Sequence, residues 1–418
     1  MLLDIEVDPD QYEEIMEFIK EKKYQNEQQF IQIAIRNLIA REKHDPKTTS
    51  EFFGNTLLLQ SQKNELQDLS NTLSKFFDKS LKVHDFLNST KIEKSTESEP
   101  SVLIWKFYTR FFPIKLVVRK LATMMMDSKS NWIELSKFQD EAYNVALAYA
   151  ETLRNYEIQN EFPRQKKLST GLPISENIKK GKKGRAVSKA LLKIGASRKR
   201  FISQFIGRII KKTDSKNQTF IEFKPGACFE MGLIGYEVDD AGDYYLTLIK
   251  EGKEFASLKN PILDNNDMTK IFSKQEAQFI LKNIIPRFKL EKIIIDDILE
   301  KLSKFEKLNY EQINDIFEEK KKEFISKYPI ESSENELIIF ENLLTLARCP
   351  RCQGTKLYKD NKAREITCMN KRCGHKITDP NAAERVATMG RLSEIGVINW
   401  IVDNDGKSNY IINPIFEE

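Results

Sequence analysis

Cysteine, histidine and tryptophan are scarce in this chain, at five, three and three among 418 residues. Four of the five cysteines fall between Cys349 and Cys373, so thiols cannot staple a chain of this length, and a disulfide-dense secreted scaffold is excluded. His44, His84 and His375 are the only imidazoles, and none stands in a nucleophile–base pattern, which leaves Ser-His-Asp hydrolysis without a candidate. No glycine-rich stretch has the form of a phosphate-cradling loop. No apolar run reaches the roughly 18 residues of a membrane span. The most apolar, Ile114 to Met126, is interrupted by Lys115, Arg119 and Lys120. The opening MLLDIEVD turns acidic without a basic region, so no secretory signal is expected and the expected location is cytoplasmic.

What is present is length and charge. A chain of 418 residues exceeds one core and predicts three or more units. The net charge of +5 is unevenly placed: between Arg164 and Lys216 stand 17 Lys or Arg against Glu176 and Asp214, leaving −10 for the remaining 365 residues. Such a block is the footprint expected for a polyphosphate partner, nucleic acid or, less often, anionic lipid, and double-stranded DNA is the partner expected here. The candidate contacts are Lys179, Lys180, Lys182, Lys183, Arg185, Lys189, Arg198, Lys199, Arg200, Arg208, Lys211 and Lys212. A helix capped by Ser197, with Phe201, Phe205 and Ile209 at i, i+4 and i+8, would turn Arg198, Lys199, Arg208 and Lys212 toward solvent. A shorter helix from Ser188 to Ile194, ended by Gly195, would make the pair a helix-turn-helix.

At the N-terminus Leu3, Ile5 and Val7 alternate with acids, the mark of a half-buried strand. Asp8-Pro9 opens a helix with Ile15, Phe18 and Ile19 on one face, and Asn26 with Gln29 opens a second that buries Phe30, Ile33, Ala34 and Leu38. This strand–helix–helix order, in DIEVDPDQYEEIMEFI and YQNEQQFIQIAIRNLI, resembles the ribbon-helix-helix DNA-binding superfamily. The resemblance implies a homodimer in which two strands pair, with Leu3, Ile5, Val7, Phe30, Ile33 and Leu38 at the dimer core. The outward strand residues Leu2, Asp4 and Glu6 carry the wrong sign for phosphate. Downstream, Leu59, Leu66, Leu69, Leu73, Phe76, Val83 and Leu87 follow 3,4 spacing, a short coiled coil or a helix packed on its own chain, and Asn88 to Ser101 has the composition of a flexible linker.

FEMGLIGYEVDDAGDYYLTLIKEGKEF resembles the end of a winged-helix domain, with an acidic tip at Asp239, Asp240 and Asp243. SEIGVINWIVDNDGKSNYII repeats it 164 residues later, placing Gly232 on Gly396 and Gly242 on Gly406. The second unit would draw on helices at Asp296–Lys304, Tyr310–Phe324 and Asn381–Ile395. Between the last two lie Cys349, Cys352, Cys368 and Cys373, with two, fifteen and four residues between successive members. This spacing brings four thiolates around one structural zinc ion and resembles a zinc ribbon. Cys228, alone in GACFEMG, reads as a buried helix residue.

The expected fold class is therefore α+β, mainly α with small β elements. Its expected domains are a ribbon-helix-helix dimerisation domain (1–44), a coiled-coil-like helix and linker (45–101), a helical region with the first winged-helix unit and basic segment (102–262), and a second winged-helix unit (263–418) with the zinc ribbon at 346–378. The combination resembles archaeal-type DNA-binding proteins and implies a non-enzymatic homodimer that regulates transcription. Chromosome organisation by duplex bridging and association with RNA polymerase are the alternatives. Glu222 and Lys224 also have the E-x-K spacing of metal-dependent nucleases, a pattern common by chance in a chain rich in Lys and Glu.

Overall fold

In the computed structural model the chain divides into two compact units, Met1–Thr72 and Leu73–Glu418. The structure describes residues 80–97, 101–104, 108–174, 195–213, 219–327, 357–360, 365–370, 373–378, 380–403 and 406–414, all in the second unit. Leu3, Ile5, Val7, Phe30, Ile33 and Leu38 lie outside the described residues, as do the 3,4-spaced positions up to Phe76. Within them the architecture is α+β, helices with four small antiparallel sheets, and no described helix is long and apolar enough to cross a membrane.

Helix α1 (Ser80–Ser89) turns Val83 and Leu87, four residues apart, into the core of its own chain. The stretch that follows corrects the expectation of a flexible linker. Thr96 exchanges backbone hydrogen bonds with Tyr236 at 2.9 and 3.1 Å, and Asn131 donates to Glu93 at 2.6 Å. The Lys253 ammonium donates to the carbonyls of Thr90 and Lys91 at 3.1 and 2.6 Å. Polar side chains make this stretch look solvated, yet its backbone satisfies a sheet edge and a buried cation. A Cβ at Gly235 would lie 2.1 Å from Ser95 Oγ, so the neighbour is accommodated there only because the strand residue is glycine.

Helix α2 (Phe112–Ser128) starts with Pro113 in its first turn, where the missing N–H costs nothing. It closes on Lys129 in the left-handed conformation, with the N–H groups of Lys129 and Ser130 returning to Met126 and Met125. Every residue from Phe112 to Arg119 is buried, so the helix is enclosed on all sides. Strand β1 (Ile133–Glu134), helices α3 (Leu135–Gln159) and α4 (Ala196–Phe201), the hairpin β2 (Gly207–Thr213)–β3 (Thr219–Pro225), helix α5 (Ala227–Glu230) and strands β4 (Ile234–Val238) and β5 (Tyr244–Leu248) follow. β5 lies between β1 and β4 in a three-stranded sheet.

Helices α6 (Lys250–Ser257), α7 (Pro261–Asn265) and α8 (Lys274–Phe279) lead to a second round: α9 (Lys289–Lys304), β6 (Leu308–Asn309) and α10 (Tyr310–Lys327), then the ribbon β7 (Leu357–Asp360), β8 (Glu365–Cys368) and β9 (Lys376–Thr378), then α11 (Pro380–Glu394), β10 (Ile398–Val402) and β11 (Ser408–Ile412). β11 again lies in the middle, between β6 and β10. The 164-residue offset holds bond by bond. Leu233 N–H donates to Cys228 O and Val397 N–H to Leu392 O, and Ile249 N–H donates to Leu233 O as Asn413 N–H does to Val397 O. Gly232 and Gly396 share left-handed φ values of 66° and 78°. At Gly232 a second demand is added, because the Arg287 guanidinium lies where a Cβ would be, 2.3 Å away.

One contiguous core runs from Val83 to Tyr410 and joins the two rounds. Buried ions also tie the elements together. Lys115, fully buried, meets Glu276 at 2.8 Å and donates to the carbonyls of Phe255 and Leu258, while Arg119 meets Asp264 at 2.9 Å. Glu276 also closes the capping box of α8 with Ser273. Arg391 on α11 bonds Glu291 on α9 at 2.6 Å and the Tyr108 carbonyl at 2.7 Å.

Glu394, at the end of α11, accepts from the N–H groups of Phe111 and Phe112 at 2.5 and 3.1 Å, at the start of α2. Burial pushes its carboxyl up to about 7 from an ordinary 4.5, against the opposing pull of Arg110, the two backbone donors and Arg391. Between those values the folded chain holds a proton that the unfolded chain has lost. The stabilisation is thus complete below the window and is lost as pH rises through it. Burial raises Glu230 as well, in the same direction. Thermal melting should show stability falling from about pH 5 to about pH 8, and Glu394→Gln should flatten that fall without abolishing it. An undiminished slope in the variant would assign the pH dependence to other groups.

Candidate nucleic-acid interface and metal centre

Lys179, Lys180, Lys182, Lys183, Arg185 and Lys189 lie outside the described residues, together with the helix expected at Ser188–Ile194. Arg198, Lys199 and Arg200 stand on α4, and Arg208, Lys211 and Lys212 on β2. The structure corrects the expectation of one helix through Phe201, Phe205 and Ile209. Phe201 and Phe205 do face the core, but α4 passes after Phe201 into a π turn, Ile202–Ile206, and gives way to strand at Gly207. Ile209 is consequently 46% exposed.

Glycines form the neck of this hairpin. Gly207 has φ of 108°, and a Cβ there would lie 2.7 Å from the Lys224 carbonyl oxygen. A Cβ on Gly226 would meet the backbone nitrogens of Gly207 and Ile206 at 2.8 Å. Gln139 on α3 donates to the Gly207 carbonyl at 2.8 Å and pins the neck to the helix. In the β2–β3 register Ile209 pairs with Phe223 and Lys211 with Ile221 on one face, while Arg208 pairs with Lys224 and Ile210 with Glu222 on the other. Phe223 anchors the base, its ring 4.8 Å from Tyr236, 5.0 Å from Phe229 and 5.6 Å from Tyr244. Glu222 and Lys224 of the E-x-K pattern thus alternate along one face of β3.

Arg198 forms an ion pair with Asp140 on α3, and Arg200 Nε donates to Gln204 at 3.3 Å, whereas Lys199 and Lys211 are exposed. The helices that precede β4 and β10 have a different character. Ala227, Cys228 and Phe229 of α5 are fully buried, and burial pushes the Cys228 thiol up, in keeping with a packing residue. In α11 none of residues 381–394 is exposed. Arg385 and Arg391 are enclosed there as structural cations. The sequence reading missed these buried charges. The available signal was the i, i+4 pair Lys115 and Arg119 in the most apolar run of the chain, whose partners lie more than 140 residues away.

Of the four expected metal ligands, Cys349 and Cys352 lie outside the described residues. Cys368 closes β8 and is buried, and Cys373 sits in the turn to β9. Cys368 N–H donates to the His375 carbonyl at 2.9 Å and Cys373 N–H to the Asn370 carbonyl at 2.8 Å, so a tight turn holds the two cysteines near its ends. Two thiols on such a turn are soft donors that suit zinc and fit one half of a four-thiolate site. β8 is the middle strand of the ribbon, between β7 and β9. Ile366 and Cys368 are buried within the ribbon but stand apart from the main core.

Comparison with protein-family models, with curated proteins and with solved structures finds no match to this chain.

Proposed function

We propose that the chain is a homodimeric protein that binds double-stranded DNA and regulates transcription, with a ribbon-helix-helix dimerisation domain, two winged-helix units and a structural zinc ribbon. The observation that carries this reading is the charge between Arg164 and Lys216, +15 in a chain otherwise at −10. Phosphates are the partner from which such a segment gains most, because each contact releases condensed counterions. The winged-helix part of the reading is supported by the repeated order of helix, short strand, helix and hairpin, with the last strand central in both sheets. Among the described residues, exposed cations of this segment stand on α4 and β2.

Cys349, Cys352, Cys368 and Cys373 hold one zinc ion in this proposal, a closed site that braces the ribbon. Metal analysis is expected to find one equivalent of zinc per chain. Chelation is expected to unravel the ribbon while the main core, of which Ile366 and Cys368 are not part, keeps its thermal transition. Less than half an equivalent in carefully purified protein would remove the zinc site from the account.

The functional reading is tested by crosslinking bound DNA across a genome. Sharp peaks at promoters are expected, broad coverage would reassign the protein to chromosome organisation, and recovery of no DNA would overturn the reading. The dimer is tested by sedimentation. Ile33→Asp is expected to turn a dimeric chain monomeric, since an unpaired carboxylate in a small core costs several kcal/mol; a monomeric wild type would contradict the ribbon-helix-helix assignment.

A further inference from the structure

We infer that the β2–β3 hairpin is the element that enters a groove of duplex DNA; this rests on the DNA-binding reading above and names the surface that carries it. The helix that precedes the wing strands is closed to a ligand in both rounds of the fold. None of residues 381–394 is exposed, and Ala227, Cys228 and Phe229 are at 0%. Neither α5 nor the described side chains of α11 offer a fully exposed residue to a base edge.

The hairpin stands immediately before α5, where a two-stranded ribbon takes the place of an exposed helix. Its neck is fixed by Gly207, Gly226 and the Gln139 bond, and its base by Phe223 among three aromatic rings, so the arm leaves the core in a defined direction. Seven-residue strands extend roughly 20 Å. A major groove about 12 Å wide admits a two-stranded ribbon.

The exposed chemistry points to the same partner. Ile209 and Ile221, 46% and 58% exposed, share one face with the exposed Lys211. The two strands carry Arg208, Lys211, Lys212 and Lys224 against the single acid Glu222, and they continue the cations of α4. Exposed isoleucines gain little from water or bare phosphate. In a groove they meet the C5-methyl groups of thymine, and a lysine beside them donates to guanine O6 and N7. An apolar protein surface would take the isoleucines equally well but would offer nothing to the exposed Lys211 that stands among them. Duplex DNA supplies both kinds of contact.

The test uses the full chain, with Ile221→Ser and Lys211→Ala each checked by thermal melting. Three duplexes are titrated: alternating dA·dT, its deoxyuridine counterpart lacking the thymine methyls, and dG·dC. Wild type is expected to bind the thymine duplex several-fold more tightly than the uracil one, Ile221→Ser to bind both alike, and Lys211→Ala to lose about tenfold on dG·dC. Should Ile221→Ser lower the melting temperature, Ile221→Cys replaces it, and its thiolate is expected to exchange with a mixed-disulfide tether in the major groove of the duplex, releasing the small thiol and leaving a protein–DNA disulfide. Wild type that binds without distinguishing thymine from uracil, with variants that match it and no crosslink, would overturn the hairpin assignment and leave the DNA-binding reading standing. Failure of wild type to bind any of the three duplexes would overturn both.

Discussion

Arg391→Met should destabilise the fold by about 3–5 kcal/mol, one of the largest single effects available in this chain. The guanidinium is 2% exposed and bonds Glu291, the Thr388 hydroxyl and the Tyr108 carbonyl at 2.6, 3.0 and 2.7 Å. It thereby links α11, α9 and the segment that enters α2. Removing it leaves the Glu291 carboxylate, itself 2% exposed, buried with the Thr388 hydroxyl at 2.7 Å as its remaining side-chain partner among the described residues. The loss therefore reflects the stranded charge more than the worth of the pair, and Arg391→Met combined with Glu291→Leu should recover most of it. Breaking the exposed pair Lys292–Asp296 on the outside of α9 should change stability by less than about 0.5 kcal/mol. Urea unfolding midpoints of the four proteins measure this directly. A loss below about 1 kcal/mol for Arg391→Met would mean that water or rearrangement satisfies Glu291, and that the junction of the two rounds is looser than drawn.

The second large effect concerns affinity. Reversing Lys182, Lys183, Lys199 and Lys211 to Glu should lower binding to a mixed-sequence duplex by at least roughly a thousandfold at low salt. Each cation lost forfeits the release of roughly 0.9 counterion, and each carboxylate added repels the same phosphates. Lys199 and Lys211 are exposed, so their reversal strands no buried partner. Arg198 is left intact because its ion pair with Asp140 gives it a role in joining α4 to α3. At about 0.15 M salt, reversing Lys274 and Lys282, exposed cations outside the basic segment, should leave affinity within about twofold, since charge beyond a Debye length of roughly 8 Å is largely screened. Losses that scale only with the number of charges reversed, four against two, would indicate that net charge alone, and no particular surface, governs binding.

Several features of the fold are legible from the sequence for physical reasons. The 164-residue repeat survives in its glycines because Gly232, Gly242, Gly396 and Gly406 all sit at positive φ, where side-chain-bearing residues are strained. Helices α9 and α10 are legible because their apolar stripes face the core on one side only, although α9 begins at Lys289, ahead of the expected Asp296. Strands β1 and β6 leave no period, being two residues each, and they become strands only by pairing with β5 and β11.

Other features are not legible in one dimension. Phe201, Phe205 and Ile209 satisfy helical spacing, yet the chain turns at Gly207, where the backbone approach of Lys224 decides the conformation. Buried cations read as solvated ones until their carboxylates are found. Lys115 illustrates this, as burial lowers its ammonium to about 8 despite the attraction of Glu276. The polar stretch after Ser89 reads as a linker because its role is carried by backbone carbonyls and N–H groups, to which composition is blind. Of the candidate site, the basic surface and the cysteine spacing are visible as patterns, whereas the withdrawal of α5 and α11 into the core is visible only once the two rounds are packed together.

The central claim, that this chain binds duplex DNA through concentrated positive charge, is tested most directly by titrating the full wild-type protein against a mixed-sequence duplex across a range of salt concentrations. The account predicts binding whose logarithm falls linearly with the logarithm of salt, with a slope steeper than about −4, corresponding to five or more phosphate contacts. Absence of binding at low salt, or affinity indifferent to salt, would contradict it.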